Sequence, residues 1–84
     1  MNGQELIIAR MRKGVSRHDA GAALGLSPQA YKLKETNETR FKDDQKLILV
    51  DLLDLDFDKF NLIFFDGKLP VKKWGIKYKK NTVA

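Results

Sequence analysis

The spacing of hydrophobic residues predicts a chain of short helices, beginning close to the first residue. Leu6, Ile7 and Met11 recur at the period of an amphipathic helix, so a first helix is predicted over residues 3–13. Gly14 follows directly, and glycine readily takes the left-handed conformation that ends a helix. The opening segment therefore predicts one helix with a single apolar face.

A second helix is predicted directly after this glycine. Ser16 stands three residues before Asp19, which is the spacing of a capping box with Asp in place of Glu. Small residues then continue the pattern through Leu24, and Gly25 can end the helix. Small side chains, including Gly21, would also let a neighbouring helix approach closely.

A third helix is predicted after only two intervening residues. Ser27 is a second N-cap, and Pro28 stands at the first helical position, where its missing N–H donor does no harm. The helix then runs to Glu35, and Asn37 is a turn residue after it.

Two more helices complete the predicted fold. Phe41 opens an apolar period that continues to Leu55, with Asp43 and Asp44 suited to the start of a fourth helix. A fifth helix is predicted from about Asp56. Its expected core side chains are Phe57, Phe60, Ile63 and Phe64. Five helices in one small chain predict an all-α fold with a single core.

The remaining segment carries a different pattern, and we divide the chain into a helical domain, 1–66, and a basic aromatic extension, 67–84. In the extension Trp74, Ile76 and Tyr78 alternate with polar residues, which favours a short strand. A hairpin between residues 63–65 and 68–71, turning at Asp66-Gly67, competes with a helical reading of the first run. The extension as a whole is interpreted as a disordered basic tail, a dimer-forming strand, or a contact to DNA or to a protein partner.

The uneven distribution of charge along the chain is more informative about function than the overall composition. The chain has 84 residues and a net charge of +5. Residues 1–42 hold eight basic and four acidic side chains, residues 43–66 two and seven, and residues 67–84 six and none. Such separation is typical of a phosphate-facing surface backed by a solvated acidic one, although basic tails also occur on proteins that bind no nucleic acid.

Several classes of protein are not expected. The chain has no Cys and one His, His18, so neither a structural metal nor a cofactor is expected. It contains no glycine-rich phosphate loop and no persuasive Ser-His-acid order, so an enzyme is not expected. We interpret Asp51, Asp54, Asp56 and Asp58 as a solvated acidic face. No apolar run could cross a bilayer and no signal peptide pattern is present, so we expect a cytoplasmic protein without membrane partners.

Residues 14–37, which read GVSRHDAGAALGLSPQAYKLKETN, resemble the lambdoid phage repressor and Cro family, also called Xre-type helix-turn-helix proteins. The likeness extends over about residues 3–66 and implies a five-helix lambda-repressor-like domain that binds operator DNA through its third helix. Residues 63–70, IFFDGKLP, resemble small regulators of phages and prophages of Gram-positive bacteria. Gly21, Pro28 and Lys34 depart from the usual pattern.

The resemblance implies roles for individual residues. The predicted base-reading residues at the start of the third helix are Gln29, Lys32, Ser27 and Ala30. Gln pairs two-fold with adenine and Lys donates to guanine, although Lys32 fits a phosphate contact equally well. The predicted phosphate contacts are Arg17, Asn37, Thr39, Arg40 and Lys42. Arg10 and Glu35 stand where the family commonly forms a partly buried ion pair.

Two functions follow from these predictions. The first is a Cro-like repressor that binds double-stranded operator DNA, as a homodimer at a pseudo-palindromic site. The second is a protein-binding module on the same fold, either a modulator or antirepressor that binds a repressor, or a phage counter-defence protein that binds a host factor. Pro28, Lys34 and the aromatic extension favour the second.

Overall fold

The structure is a computed structural model that describes residues 1–70, which form five α-helices and no β-strand. The helices are α1 (Gly3–Arg12), α2 (Arg17–Ala23), α3 (Pro28–Glu35), α4 (Asp43–Leu52) and α5 (Phe57–Phe65). The predicted all-α fold is confirmed for these residues, and none of the five helices has the length and apolarity to cross a membrane. The strand predicted around Trp74, Ile76 and Tyr78 lies outside the described residues.

Short polar side chains begin four of the helices, and most of these caps are readable from the sequence. The Ser16 hydroxyl accepts a hydrogen bond from the Asp19 backbone N–H at 3.0 Å, and the Asp19 carboxylate accepts one from the Ser16 N–H at 3.5 Å. Ser27 caps α3 in the same way, while Asn2 and Asp56 cap α1 and α5. Each such cap contributes about 1 kcal/mol of stability.

One core contains side chains from all five helices. Its fully or nearly fully buried hydrophobic residues are Leu6, Ala20, Tyr31, Phe41, Leu49, Leu53, Ile63 and Phe64. Phe41, in the connection before α4, lies at the centre of the aromatic part. Its ring centroid is 5.9 Å from that of Tyr31 and 6.0 Å from that of Phe64. Edge-to-face and tilted pairs of this kind add to the stability that burial provides.

The helices α2 and α3 pack closely against each other and are joined by a very short turn. Gly25 has a φ of 72° in this turn, a left-handed conformation that glycine takes without strain. Gly21 is buried on α2, and a Cβ placed there would lie 2.9 Å from the backbone oxygen of Leu26. The turn therefore packs directly on the α2 backbone, and this contact fixes α3 relative to α2.

Two sequence predictions are wrong in the second half of the described residues. α4 ends at Leu52 rather than continuing to Leu55, because Asp54 takes a left-handed φ of 52° and Asp56 then caps α5. Phe57 is 46% exposed instead of buried, since it lies in the first turn of α5 on the side away from the core.

The proposed hairpin is also absent from the described residues. Residues 63–65 form the last turn of α5, because the spacing of Phe60, Ile63 and Phe64 matches a helix that packs on the core. Asp66 and Gly67 do turn the chain, with φ values of 53° and 75°. They end a helix instead of joining two strands.

Candidate nucleic-acid interface

A buried polar network lies beneath α3 and joins it to α1 and α2. The Glu35 carboxylate is fully buried and accepts hydrogen bonds from Arg10 Nε at 2.9 Å and Arg10 Nη2 at 3.2 Å. It also accepts one from Arg17 Nε at 3.0 Å and one from the Tyr31 hydroxyl at 2.7 Å. The Arg10–Glu35 ion pair expected from the sequence is thus present, and Arg10 donates further to the backbone oxygen of Val15 at 2.9 Å.

Ionisation within this network follows from burial and hydrogen bonding together. The hydrogen bond to Glu35 raises the pKa of Arg10. Burial by itself raises the pKa of Glu35, but the hydrogen bonds from Arg10, Tyr31 and Arg17 outweigh it, and the net pKa is lowered. Burial, and then the bond to Glu35, raise the pKa of Tyr31 well above its usual range. At neutral pH the carboxylate and Arg10 are charged and the phenol is neutral.

The opposite side of α3 faces solvent. Gln29 and Lys32 are exposed there, Ala30 is half-buried, and Leu33 is an exposed apolar residue on the same side. Ser27 is exposed as well, and its hydroxyl accepts a hydrogen bond from the Ala30 backbone N–H at 3.1 Å. Ser27 therefore caps the helix, and it keeps its own hydroxyl proton to donate. The structure brings all four predicted base-reading residues to the start and outer side of one helix.

Three of the five predicted phosphate contacts meet at one open cavity between α3, α4 and the end of α5. The cavity is lined by Asn37, Thr39 and Arg40 together with Met1, Lys34, Phe41, Lys46 and Phe64. Cationic side chains from three parts of the chain therefore surround one space, and no carboxylate among residues 1–70 lines it. An anionic group is the ligand that suits such a cavity.

Lys34 and Lys46 belong to this cavity, although the sequence analysis assigned neither of them a binding role. Lys34 Nζ donates to the backbone oxygen of Arg40 at 2.7 Å and lies 6.0 Å from the centroid of Phe41. Lys46 Nζ lies 5.9 Å from the centroid of Phe64 and 3.7 Å from a carboxylate oxygen of Asp43. The sequence did carry a signal for Lys34, because the proteins that it resembles usually have an aliphatic residue at that position. Lys46 could not have been noticed, because it stands in the most acidic part of the sequence.

Three of the predicted phosphate contacts, Asn37 in the cavity and the two outside it, Arg17 and Lys42, have hydrogen-bond partners within the fold. The Asn37 side-chain amide donates to the backbone oxygen of Met1 at 3.0 Å, and Asn37 itself has a left-handed φ of 68°. Arg17 is half-exposed, and its Nε is already bonded to Glu35. Lys42 is exposed at the N-cap of α4, where its backbone N–H donates to Gln45 Oε1 at 2.9 Å.

Acidic residues in the described part of the chain take part in helix caps and surface ion pairs. Among residues 1–70, no group of three or more His, Asp or Glu side chains is placed to hold a metal ion. Asp56 accepts a hydrogen bond from the Lys59 backbone N–H at 2.8 Å, and Asp54 lies 3.5 Å from Lys13 Nζ. His18 is exposed on α2. These contacts are those of helix caps and surface ion pairs.

Comparison with known proteins assigns neither a family nor a function to the chain. The chain matches no family model, no curated protein and no solved structure.

Proposed function

We propose that the protein is a sequence-specific DNA-binding regulator with a lambda-repressor-like domain, in which α2 and α3 form the helix-turn-helix. In this proposal α3 enters the major groove, where base edges distinguish all four base pairs. Gln29 and Lys32 read bases, and Ala30 contacts a thymine methyl group. Bound at an operator, such a protein represses transcription by excluding the polymerase.

One observation carries the proposal: buried contacts anchor the inner side of α3 in the core, while its exposed outer side presents the polar residues Gln29 and Lys32. The buried carboxylate of Glu35 and the ring of Tyr31 join its inner side to the core, and Gln29 and Lys32 stand on the solvent side. A helix that reads base edges needs both properties, because its side chains must keep their position while water is displaced.

The cavity beside α3 is a second observation that supports the proposal. Arg40, Lys34 and Lys46 surround a space that suits one phosphate group, next to the end of the proposed reading helix. Contacts to phosphates fix the register of a protein on the duplex and make its affinity depend on salt. We therefore assign the cavity to one phosphate of the DNA backbone.

The test compares two variants on two DNA probes. The probes are the duplex that flanks the coding sequence of the protein and a random duplex of equal length, and binding is measured by fluorescence anisotropy over a series of salt concentrations. Gln29→Ala should weaken binding to the flanking duplex by about 1–3 kcal/mol and leave the random duplex nearly unaffected. Arg40→Ala should weaken both alike and reduce the salt slope by about one.

Arg12→Ala is the matched control for Arg40→Ala, because Arg12 is also exposed but lies at the end of α1. It should leave both the affinity and the salt slope as they are. Equal losses on the two duplexes for Gln29→Ala would refute its base-reading role. If the unchanged protein did not prefer any duplex over another, the function as a sequence-specific regulator would be wrong.

One observation favours the alternative, a protein-binding modulator on the same fold. Leu33 is 42% exposed and stands one helical turn after Gln29, on the side of α3 that would face DNA. An apolar residue there suits a protein partner better than a phosphate or a base edge. Tight complex formation with the repressor encoded beside it, together with equal binding to both duplexes, would support this alternative.

A further inference from the structure

After α5 the chain reverses and returns along the helix that it has just left. Asp66 and Gly67 both have left-handed φ values, and Gly67 N–H donates to the backbone oxygen of Asn61 at 3.0 Å. The Asn61 side chain then binds both backbone groups of Leu69. Its Oδ1 accepts from Leu69 N–H at 2.9 Å, and its Nδ2 donates to the Leu69 oxygen at 3.2 Å. The chain therefore enters the C-terminal extension beside the middle of α5.

The surface of α5 next to this point, towards the start of the helix, is apolar and acidic. Phe57 and Asp58 precede Asn61 by four and three residues, so they lie on the same side of α5, one helical turn closer to its start. Phe57 is 46% exposed, which is unusual for a ring of its size, and Asp58 is exposed beside it. Asn61 itself is buried, with only 4% of its surface exposed, so the exposed surface here consists of Phe57 and Asp58, which we call the outer α5 face.

The sequence of the extension is complementary to this face in charge and in apolar character. Residues 71–84 contain five lysines and no acidic residue, whereas residues 43–66 contain seven acidic and two basic residues. Trp74, Ile76 and Tyr78 alternate with polar residues and would lie on one side of an extended segment.

The reach of the extension is also sufficient. From Leu69 to Trp74 an extended chain spans about 16 Å, and Phe57 is only about 6 Å from Asn61 along the helix. Trp74 can therefore reach Phe57 without any change in the position of Leu69. Burying the exposed ring of Phe57 under apolar side chains of the extension removes apolar surface of both from water.

We propose that residues 71–84 bind in cis on the outer α5 face, with the apolar side of the extension, centred on Trp74, against Phe57 and neighbouring lysines beside Asp58. The extension is then a covering segment of the domain. This inference goes beyond DNA binding, and it stands or falls separately from the proposed function.

Trp74 is the only tryptophan in the chain, so its fluorescence reports directly on the extension. The experiment measures its emission maximum and its quenching by acrylamide in the full-length protein without DNA, over a wide range of protein concentration. The proposal expects blue-shifted emission and protection from quenching, both independent of protein concentration. In Phe57→Ser and in Asp58→Lys the protection should fall towards that of free N-acetyltryptophanamide.

Ile8→Ser and Glu38→Lys are the matched controls. Ile8 is an aliphatic residue with a similar exposure of 40%, on α1, and Glu38 is an exposed carboxylate in the loop after α3. Neither variant should change the quenching of Trp74. Circular dichroism verifies that each variant is folded. If Phe57→Ser fails this check, Asp58→Lys still tests the proposal, because it changes only an exposed side chain.

Four outcomes would overturn the proposal. A Trp74 that is fully quenched in the unchanged protein would show that the extension does not bind the domain. Protection that disappears on dilution would assign it to a second copy of the chain. Protection that appears only after duplex DNA is added, or that is lost equally in Ile8→Ser, would place the extension elsewhere.

Discussion

At the scale of single residues, the stability of the domain depends on how one buried carboxylate is satisfied. Glu35 accepts hydrogen bonds from Arg10, Arg17 and Tyr31, and no polar side-chain atom buried in the described part of the chain lacks a hydrogen-bond partner. A buried charge is tolerated when it is paired and fully hydrogen-bonded, and it is costly when one partner is removed. The network therefore ties the position of α3 to residues on α1 and α2.

Removing Arg10 should destabilise the protein far more than removing its exposed neighbour. We expect Arg10→Ala to lower the free energy of unfolding by about 3 kcal/mol, because it leaves the Glu35 charge buried with fewer partners. Arg12→Ala, on the solvent side of the same helix, should change it by less than about 0.5 kcal/mol. Urea unfolding followed by circular dichroism measures both. Equal effects of the two substitutions would mean that the buried pair contributes nothing of its own.

The raised pKa of Tyr31 makes a specific prediction for alkaline pH. The unfolded chain loses the phenolic proton above pH 10 and the folded chain retains it, so the contribution of Tyr31 to stability is complete below pH 10 and falls as the pH rises further. Tyr31→Phe should cost about 1.5–3 kcal/mol near neutral pH, the value of a hydrogen bond to a charged group.

Chemical denaturation of both proteins at about pH 8 and about pH 11 measures this effect, and the difference between them should shrink at the higher pH. The comparison cancels the titration of the lysines, which is common to both proteins. Tyr78→Phe is the control, and it should show no such change in the difference. A constant difference between the unchanged protein and Tyr31→Phe would contradict the prediction.

At the scale of elements, the pairing of α2 with α3 depends on the absence of a side chain at one position. Gly21 lies against the backbone oxygens of Leu26 and Ser27, at 2.9 and 3.2 Å from where a Cβ would stand. Backbone atoms of a short turn cannot move aside as the end of a flexible side chain can. The angle between the two helices is therefore set by glycine.

Gly21→Ala should for this reason have the opposite sign from an ordinary helical substitution. Glycine to alanine inside a helix normally stabilises by about 0.5–1 kcal/mol. Here we expect a loss of about 1–3 kcal/mol from overpacking, measured by thermal and urea unfolding. Ala22→Gly, at the exposed neighbouring position, measures how much the exchange of alanine and glycine in this helix changes stability when no packing contact is involved. A more stable Gly21→Ala protein would show that α3 can shift at little cost, and its DNA affinity would then report that shift.

At the scale of the whole molecule, the fold gathers cationic side chains from separate parts of the sequence around one cavity. Arg40, Lys34 and Lys46 surround the cavity beside α3, while Asp51 and Asp58 lie exposed on α4 and α5. Such an arrangement would orient the molecule in the field of a duplex, with the proposed reading helix towards it. It also leaves Asp58 on the outer α5 face available to the lysines of the basic extension, as proposed above.

The local features of this protein are those that the sequence by itself determined. Ser16, Asp19 and Ser27 predicted the starts of α2 and α3, because a cap involves residues only two or three apart. The apolar period predicted five helices for the same reason, since each helix shows its own repeat. The pairing of Arg10 with Glu35 came from resemblance to a family, because residues 25 positions apart leave no local pattern.

Only the tertiary structure decided which side chains from different helices meet. Lys46 stands among aspartates in the sequence, and only the position of α4 in the fold brings it to a cavity with Lys34 and Arg40. Phe57 fits the apolar period of a buried residue, yet the position of α5 on the core leaves it exposed. Periodicity gives the faces of a helix but not its neighbours, because neighbours are chosen by the packing of the whole core.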